Sequence, residues 1–181
     1  MSRKYKFLNK EGVYFVSFSV VFWLKVFDYK EYCQIIIDNL NYCIQNKGLE
    51  LYSWCIMPNH IHLIFSANNA DPDKLLGKFK EVTSKKIVDA IIQNKIDTNH
   101  DTFLYFFKKA AKKKSNVNFY QFWQHHNKPI ELWSSYIIDI KINYIHQNPV
   151  KAGLVLNADD WIYSSARNYN EDSGLIKIKT I

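Results

Sequence analysis

Two runs dense in branched and aromatic side chains, residues 49–57 and 60–66, are separated only by Pro58-Asn59. Proline cannot donate to a sheet ladder, so this short break reads as the join between two hairpin-paired strands. A hairpin join commits the sheet to antiparallel pairing. Residues 13–22 add a strand upstream, with Ser17 and Ser19 alternating against Val16, Phe18 and Val20. Between the first two strands, residues 29–46 carry Tyr32, Ile35, Ile36, Leu40, Cys43 and Ile44 at near-helical spacing. Asp28 is the expected N-cap, and Gly48 lies just past the end. Residues 71–93 form a second helix, with Pro72 near its start and a basic face of Lys78, Lys80, Lys85 and Lys86.

Strand, helix, strand, strand, helix predicts an α+β fold. The expected form is a ferredoxin-like (RRM-like) antiparallel sheet with helices packed on one face. Beyond it the pattern weakens. Residues 94–121 show no clear period and hold Lys108, Lys109, Lys112, Lys113 and Lys114. They read as a solvated or disordered loop, or as an arm in which Lys112 and Lys113 contact phosphate. Residues 129–147 predict a third helix, with Ile130, Trp133, Ile137, Ile140 and Tyr144 on one side. Asn148-Pro149 is expected to end it, because the residue before proline disfavours the α region. Residues 174–181 alternate as a short strand or ordered tail would. There is no internal repeat.

The chain has 181 residues, 48% of them apolar, so the expectation is one domain over residues 1–181, with 94–120 as a basic, flexible insert. Five glycines and four prolines are too few for a low-complexity chain. The net charge of +7 with 12 Tyr, 12 Phe and 5 Trp suits a nucleic-acid partner, and equally a basic protein whose rings are core. Cys33, Cys43 and Cys55 form no pairing framework and read as buried thiols. The basic start lacks a long apolar run behind it, and residues 13–27 are interrupted by Ser17, Ser19 and Lys25. No membrane partner and a cytoplasmic location are therefore expected.

Chemistry concentrates in two stretches. In Met57-Pro58-Asn59-His60-Ile61-His62-Leu63, strand alternation sends both imidazoles to one face and Ile61 and Leu63 to the other. Two such rings can share a divalent metal, although two surface histidines have the same pattern. In Tyr144-Ile145-His146-Gln147-Asn148-Pro149, Tyr144 and Asn148 lie one helical turn apart. A phenol can attack a phosphodiester, and an amide oxygen can ligate a metal. A packing tyrosine and a helix stop remain the plain alternative.

The two stretches in this order, joined by Trp123-Gln124, continued as Val150-Lys151-Ala152-Gly153-Leu154-Val155 and closed by Asp160-Trp161-Ile162-Tyr163-Ser164-Ser165-Ala166, resemble the single-tyrosine HUH transposases. That IS200-like family includes the REP-associated tyrosine transposases. The resemblance implies that Tyr144, on a C-terminal helix, is the nucleophile. It implies that His60, His62 and Asn148 hold Mg²⁺ or Mn²⁺. The implied reaction cleaves and rejoins single-stranded or hairpin DNA through a 5′-phosphotyrosine, with a homodimer as one expected assembly. Lys85, Lys86, Lys112 and Lys113 are the candidate DNA contacts.

Where family members often place arginine and an aromatic after Trp-Gln, this chain has His125, His126, Asn127, Lys128 and Pro129. That departure bears on local DNA contacts. Trp123 reads as packing rather than stacking, and Arg167 as a phosphate contact. The alternative function is a domesticated, non-catalytic module that binds single-stranded nucleic acid. A third reading is a water-using metal-dependent hydrolase in which Tyr144 is structural.

Overall fold

The computed structural model describes residues 6–94, 99–112, 119–170 and 173–180. Alternating side chains build β1 (Tyr14–Ser19), β2 (Leu49–Met57) and β3 (His60–Ala67). A two-residue strand, β4 (Ile130–Glu131), completes a sheet in the order β2-β3-β1-β4, and each neighbouring pair is antiparallel. The connection from β1 to β2 crosses over through α1 (Lys30–Asn46), which leaves the slot between them for β3. Tyr29, not Asp28, is the N-cap of α1, and no side chain caps it. Asp28 belongs to a short 3-10 turn just before it.

Helix α2 (Pro72–Gln93) starts as its sequence dictates. Asp71 accepts hydrogen bonds from the backbone N–H groups of Asp73 and Lys74, and Pro72 occupies a position whose N–H would be unpaired anyway. Residues 94–121 are not all loop: α3 (His100–Ala111) lies there. Phe103, Phe107 and Ala110 fall on one helical face and join the main core. Lys113 and Lys114 lie outside the described residues.

One face of the sheet carries Val16, Phe18, Trp54, Ile61, Leu63 and Phe65, and packs against α1, α2 and α3. The opposite face carries Phe15, Tyr52, Cys55, Met57 and Ile64, and packs against α4 (Ser135–Lys151). The expected start of this helix at residue 129 is corrected. Residues 130–131 form β4, and Ser134 caps α4 by accepting from the Ile137 N–H. Its expected end at Asn148 is also corrected, because α4 runs through Pro149 to Lys151. Pro149 is buried, and the turn closes through Ala152 N–H to Asn148 O and Gly153 N–H to Val150 O, with Gly153 at φ +69°. Of the expected apolar face, Ile130, Trp133, Ile140 and Tyr144 are exposed and Ile137 packs against the core that Ile138, Ile142 and Ile145 fill.

After α4 the chain returns along the free edge of β2. Ile56 N–H donates to Tyr163 O, Ser165 N–H to Trp54 O, and Lys179 N–H to Leu51 O. A short helix, α5 (Ala166–Asn170), follows the first of these contacts. The described part of 174–181 forms no strand, but it is anchored by buried Ile176 and the Lys179–Glu50 ion pair. Cys33, Cys43 and Cys55 are buried free thiols, as their spacing indicated. Among the described residues no helix is long and apolar enough to cross a membrane.

Candidate active site

Strand β3 sits between β1 and β2, so His60 and His62 lie in the middle of the sheet. In the register, Ser19 and Met57 flank His60, and Ser17 and Cys55 flank His62. The core-facing partners Ile61 and Leu63 fix which way the strand faces, and the alternation then sends both imidazoles toward α4. Their Nε2 atoms are 3.0 Å apart. His60 Nδ1 lies 2.6 Å from Asn59 Oδ1, which orients that ring from behind and leaves Nε2 as its free nitrogen. The His62 ring stacks on Phe15 at 5.6 Å, and its buried Nδ1 has no hydrogen-bond partner among the described residues.

Burial holds both rings neutral. Desolvation pushes the His60 pKa down. Desolvation, reinforced by the neighbouring His60 and by Lys141, pushes His62 down to about 3. Neutral imidazoles keep the lone pairs that a metal requires. Two nitrogens at right angles around an octahedral cation, each about 2.1 Å from it, stand about 3.0 Å apart. The pair therefore fits a small divalent cation, with the two Nε2 atoms as adjacent ligands. Among the described residues no third His, Cys, Asp or Glu joins a cluster.

Tyr144 comes to this pair from α4 of the same chain. Its ring lies 5.6 Å from the His62 ring and 5.9 Å from Phe15, edge-on to both. It is half-exposed. Lys141, one turn earlier on α4, holds its ammonium 5.2 Å from the Tyr144 ring and 4.9 Å from Phe15. Lys151 reaches the same ring from the other end at 6.0 Å. A phenol between two cations, next to two neutral imidazoles, faces a surface suited to a phosphate.

The family model described as "Transposase IS200 like" matches residues 24–148, well over half of the chain. The chain belongs to the IS200-like transposase family. It is accordingly a single-tyrosine DNA transposase, an enzyme whose strand transfer runs through a tyrosine intermediate. A solved structure of a REP-associated tyrosine transposase bound to a REP hairpin shares the fold, with a TM-score of 0.64 and 17% identity. The match covers 99% of this chain and 92% of that one. No curated protein matches the sequence.

The other residues singled out in this transposase fall in several places. Asn148 lies one turn after Tyr144, and its amide nitrogen donates to the Tyr144 carbonyl at 2.6 Å, a bond that does not use Oδ1. Lys85 and Lys86 are exposed on α2, across the sheet from the histidines, and Lys86 Nζ donates to Asn39 Oδ1. Lys112 is exposed just past α3, and Lys113 lies outside the described residues. Trp123 packs in the core, its indole N–H donating to Thr83 Oγ1 at 3.3 Å. His125 and His126 are exposed beside β1. Arg167 donates from Nε to the Asp159 carbonyl at 2.7 Å.

Sequence reasoning missed Lys141 and Trp23. Trp23 is exposed, with its ring 6.2 Å from His60. It follows Phe22, and both have left-handed backbones at φ +56° and +55°. Such conformations cost non-glycine residues energy and collect at functional sites. Lys141 could have been found from its spacing, three residues before Tyr144 on the same helix. Nothing in the local sequence around Trp23 marks its return to the histidines.

Proposed function

We propose that Tyr144 is the nucleophile of this transposase and that His60 and His62 hold its divalent metal. Nucleophile and metal ligands then come from one chain. The observation that carries the reading is the Tyr144 ring packed 5.6 Å from the His62 ring, on the one face where two neutral imidazoles converge. The βαββαβ order of strands and helices up to β4, with α3 as an addition, supports a ferredoxin-like description over a single domain. The substrate is single-stranded or hairpin DNA, as in the REP hairpin complex that shares the fold. The chain acts in the cytoplasm.

In the step, Tyr144 Oη attacks phosphorus in line. The P–O3′ bond breaks, the phenolic proton passes to solvent, and the departing 3′-oxygen takes up a proton from solvent and leaves as a hydroxyl. The 5′-phosphate stays on Tyr144 as a phosphodiester, so no nucleotide cofactor is needed to reseal. Attack by another strand's 3′-hydroxyl releases Tyr144. Bound Mg²⁺ or Mn²⁺ would supply charge neutralisation and orientation of the scissile phosphate. Asn148 would become a further ligand through Oδ1, the amide atom that its bond to the Tyr144 carbonyl does not use. Lys141 and Lys151 supply positive charge on either side of the phenol. Lys85, Lys86, Lys112 and Lys113 contact phosphates away from the cleaved bond. Because one chain carries both parts of the site, a homodimer is not required for chemistry.

The test is a denaturing gel with a labelled library of single-stranded hairpins, including DNA flanking the gene, in Mg²⁺ or Mn²⁺. The expected result is a metal-dependent covalent adduct that vanishes in Tyr144→Phe while DNA binding persists. Undiminished cleavage by Tyr144→Phe overturns the nucleophile. Cut DNA without an adduct indicates hydrolysis by water. Binding with neither cut nor adduct indicates a domesticated binding module.

A further inference from the structure

Two residues past Tyr144, on the opposite side of α4, His146 enters a buried polar knot. Its Nε2 lies 2.9 Å from Ser165 Oγ and 3.4 Å from Ser53 Oγ, and the two hydroxyls are 3.0 Å apart. Ser53 and Ser165 are fully buried. Ser165 Oγ also accepts from the Trp54 N–H at 3.0 Å and reaches the Trp54 carbonyl at 3.2 Å. The Tyr169 ring closes the knot edge-on to His146 at 5.2 Å, with its hydroxyl donating to the Tyr52 carbonyl.

The knot depends on an irregularity in β2. Leu51 pairs with Phe65 and Ser53 with Ile64, so Tyr52 is the extra residue of a bulge. The bulge turns Tyr52 and Ser53 to the same face, toward α4. Without it, alternation would send one of them into the other core.

Apolar packing alone holds α4 loosely in rotation. Isoleucines stand at positions 137, 138, 140, 142 and 145, around most of the helix, so a roll exchanges one isoleucine for another. A buried polar tie has no equivalent partner after a roll, which is how single buried polar groups fix register elsewhere. A roll of about 20° carries a group roughly 5–6 Å from the axis through about 2 Å. A misplacement near 1 Å can cost about 100-fold in rate.

We propose that His146 is a positioning residue: tied to Ser53 on β2 and to Ser165 on the segment beside it, it sets the roll of α4 that keeps Tyr144 at the histidine pair. This rests on the reading of Tyr144 as nucleophile. It adds a function for the chain beyond residue 160, whose Ser165 is the far anchor of the tie.

The experiment compares His146→Leu, His146→Gln, Ser165→Ala and the double variant His146→Leu/Ser165→Ala. The rate of adduct formation under single turnover and the Kd are measured on the hairpin chosen by the gel assay. In parallel, 3-fluorotyrosine is placed at position 144 and read by fluorine NMR without DNA. His146→Leu should slow adduct formation at least about 10-fold with Kd within twofold. His146→Gln, whose amide can donate or accept, should recover most of the rate. Ser165→Ala should also slow the step, and the double variant should be no slower than the worse single, since the two act as one unit. The fluorine signal should broaden or split in His146→Leu. An unchanged rate and signal in folded His146→Leu overturns the proposal, as does multiplication of the two losses or failure of glutamine to rescue. Should the unaltered protein form no adduct, the nucleophile reading falls, and the fluorine signal then decides the positioning alone, a change supporting it and no change overturning it.

Discussion

The two faces of the sheet use the same strands for different ends. The face under α1, α2 and α3 is apolar and aromatic, with Phe18, Phe79, Trp123, Phe122 and Phe27 in mutual edge contacts. The face under α4 has a smaller apolar core and carries a larger set of polar groups: His60, His62, Ser53, Ser165 and His146. Strand alternation makes this division possible, because one residue's shift in register changes the face of every side chain. The larger apolar cluster lies on the first face. The second holds two imidazoles whose burial pushes their pKa values down.

If that division holds, substitutions on the two faces should separate stability from rate. The largest expected effect on stability comes from Phe65, fully buried under the helices. Phe65→Ala should cost about 3–5 kcal/mol by chemical denaturation. The folded fraction should still form the DNA adduct. Loss of the adduct in that folded fraction would mean the faces are coupled. Next in size is His62→Asn, which removes one imidazole from the pair while keeping a polar side chain. Adduct formation should fall roughly 100-fold or more, with the denaturation midpoint little changed. A rate within threefold of the parent's would remove His62 from the metal site.

The division was partly legible in the sequence. Residues 49–57 and 60–66 give the hairpin nearly to the residue, because alternation and Pro58 act locally. His60 and His62 follow from the same alternation. The face of α4 was not legible. With isoleucine at 137, 138, 140, 142 and 145, the hydrophobic pattern chooses no single side, and the stripe of Ile130, Trp133, Ile137, Ile140 and Tyr144 reads as core although all but Ile137 are exposed. Helix α3 had a signal in Phe103, Phe107 and Ala110, masked by Tyr105, Phe106 and the lysines around it. The bulge at Tyr52 and the bond from His146 to Ser165 depend on chain segments far apart. No local pattern announces them.

A smaller effect tests how dry the second face is. His62 is held at about 3, and His146 is pushed down to about 4 mainly by burial, against an ordinary value near 6.5. Between those limits the unfolded chain binds protons that the folded chain refuses. Stability is therefore present above pH 6.5 and is lost as pH falls toward 4. From pH 7 to pH 5 each histidine should remove up to about 2 kcal/mol, measured by urea denaturation with a chelator present. His62→Asn should flatten that slope. A profile that is flat in the unaltered protein would show water reaching the rings.

The smallest effects distinguish lysines by face. Lys141 stands over Tyr144, whereas Lys85 and Lys86 lie across the sheet on α2. Each lysine that contacts a phosphate contributes about one counterion to the salt dependence of binding, wherever it sits. Only a lysine beside the reacting phosphate can also change the rate once DNA is bound. Lys141→Gln should lower the salt slope by about one and slow saturated adduct formation several-fold. Lys85→Gln/Lys86→Gln should lower the slope by up to about two and leave the saturated rate unchanged. An unchanged slope in the double variant would remove α2 from the DNA path. A changed saturated rate would show that DNA bound along α2 bears on the Tyr144 face, so that the substrate joins what the sheet keeps apart.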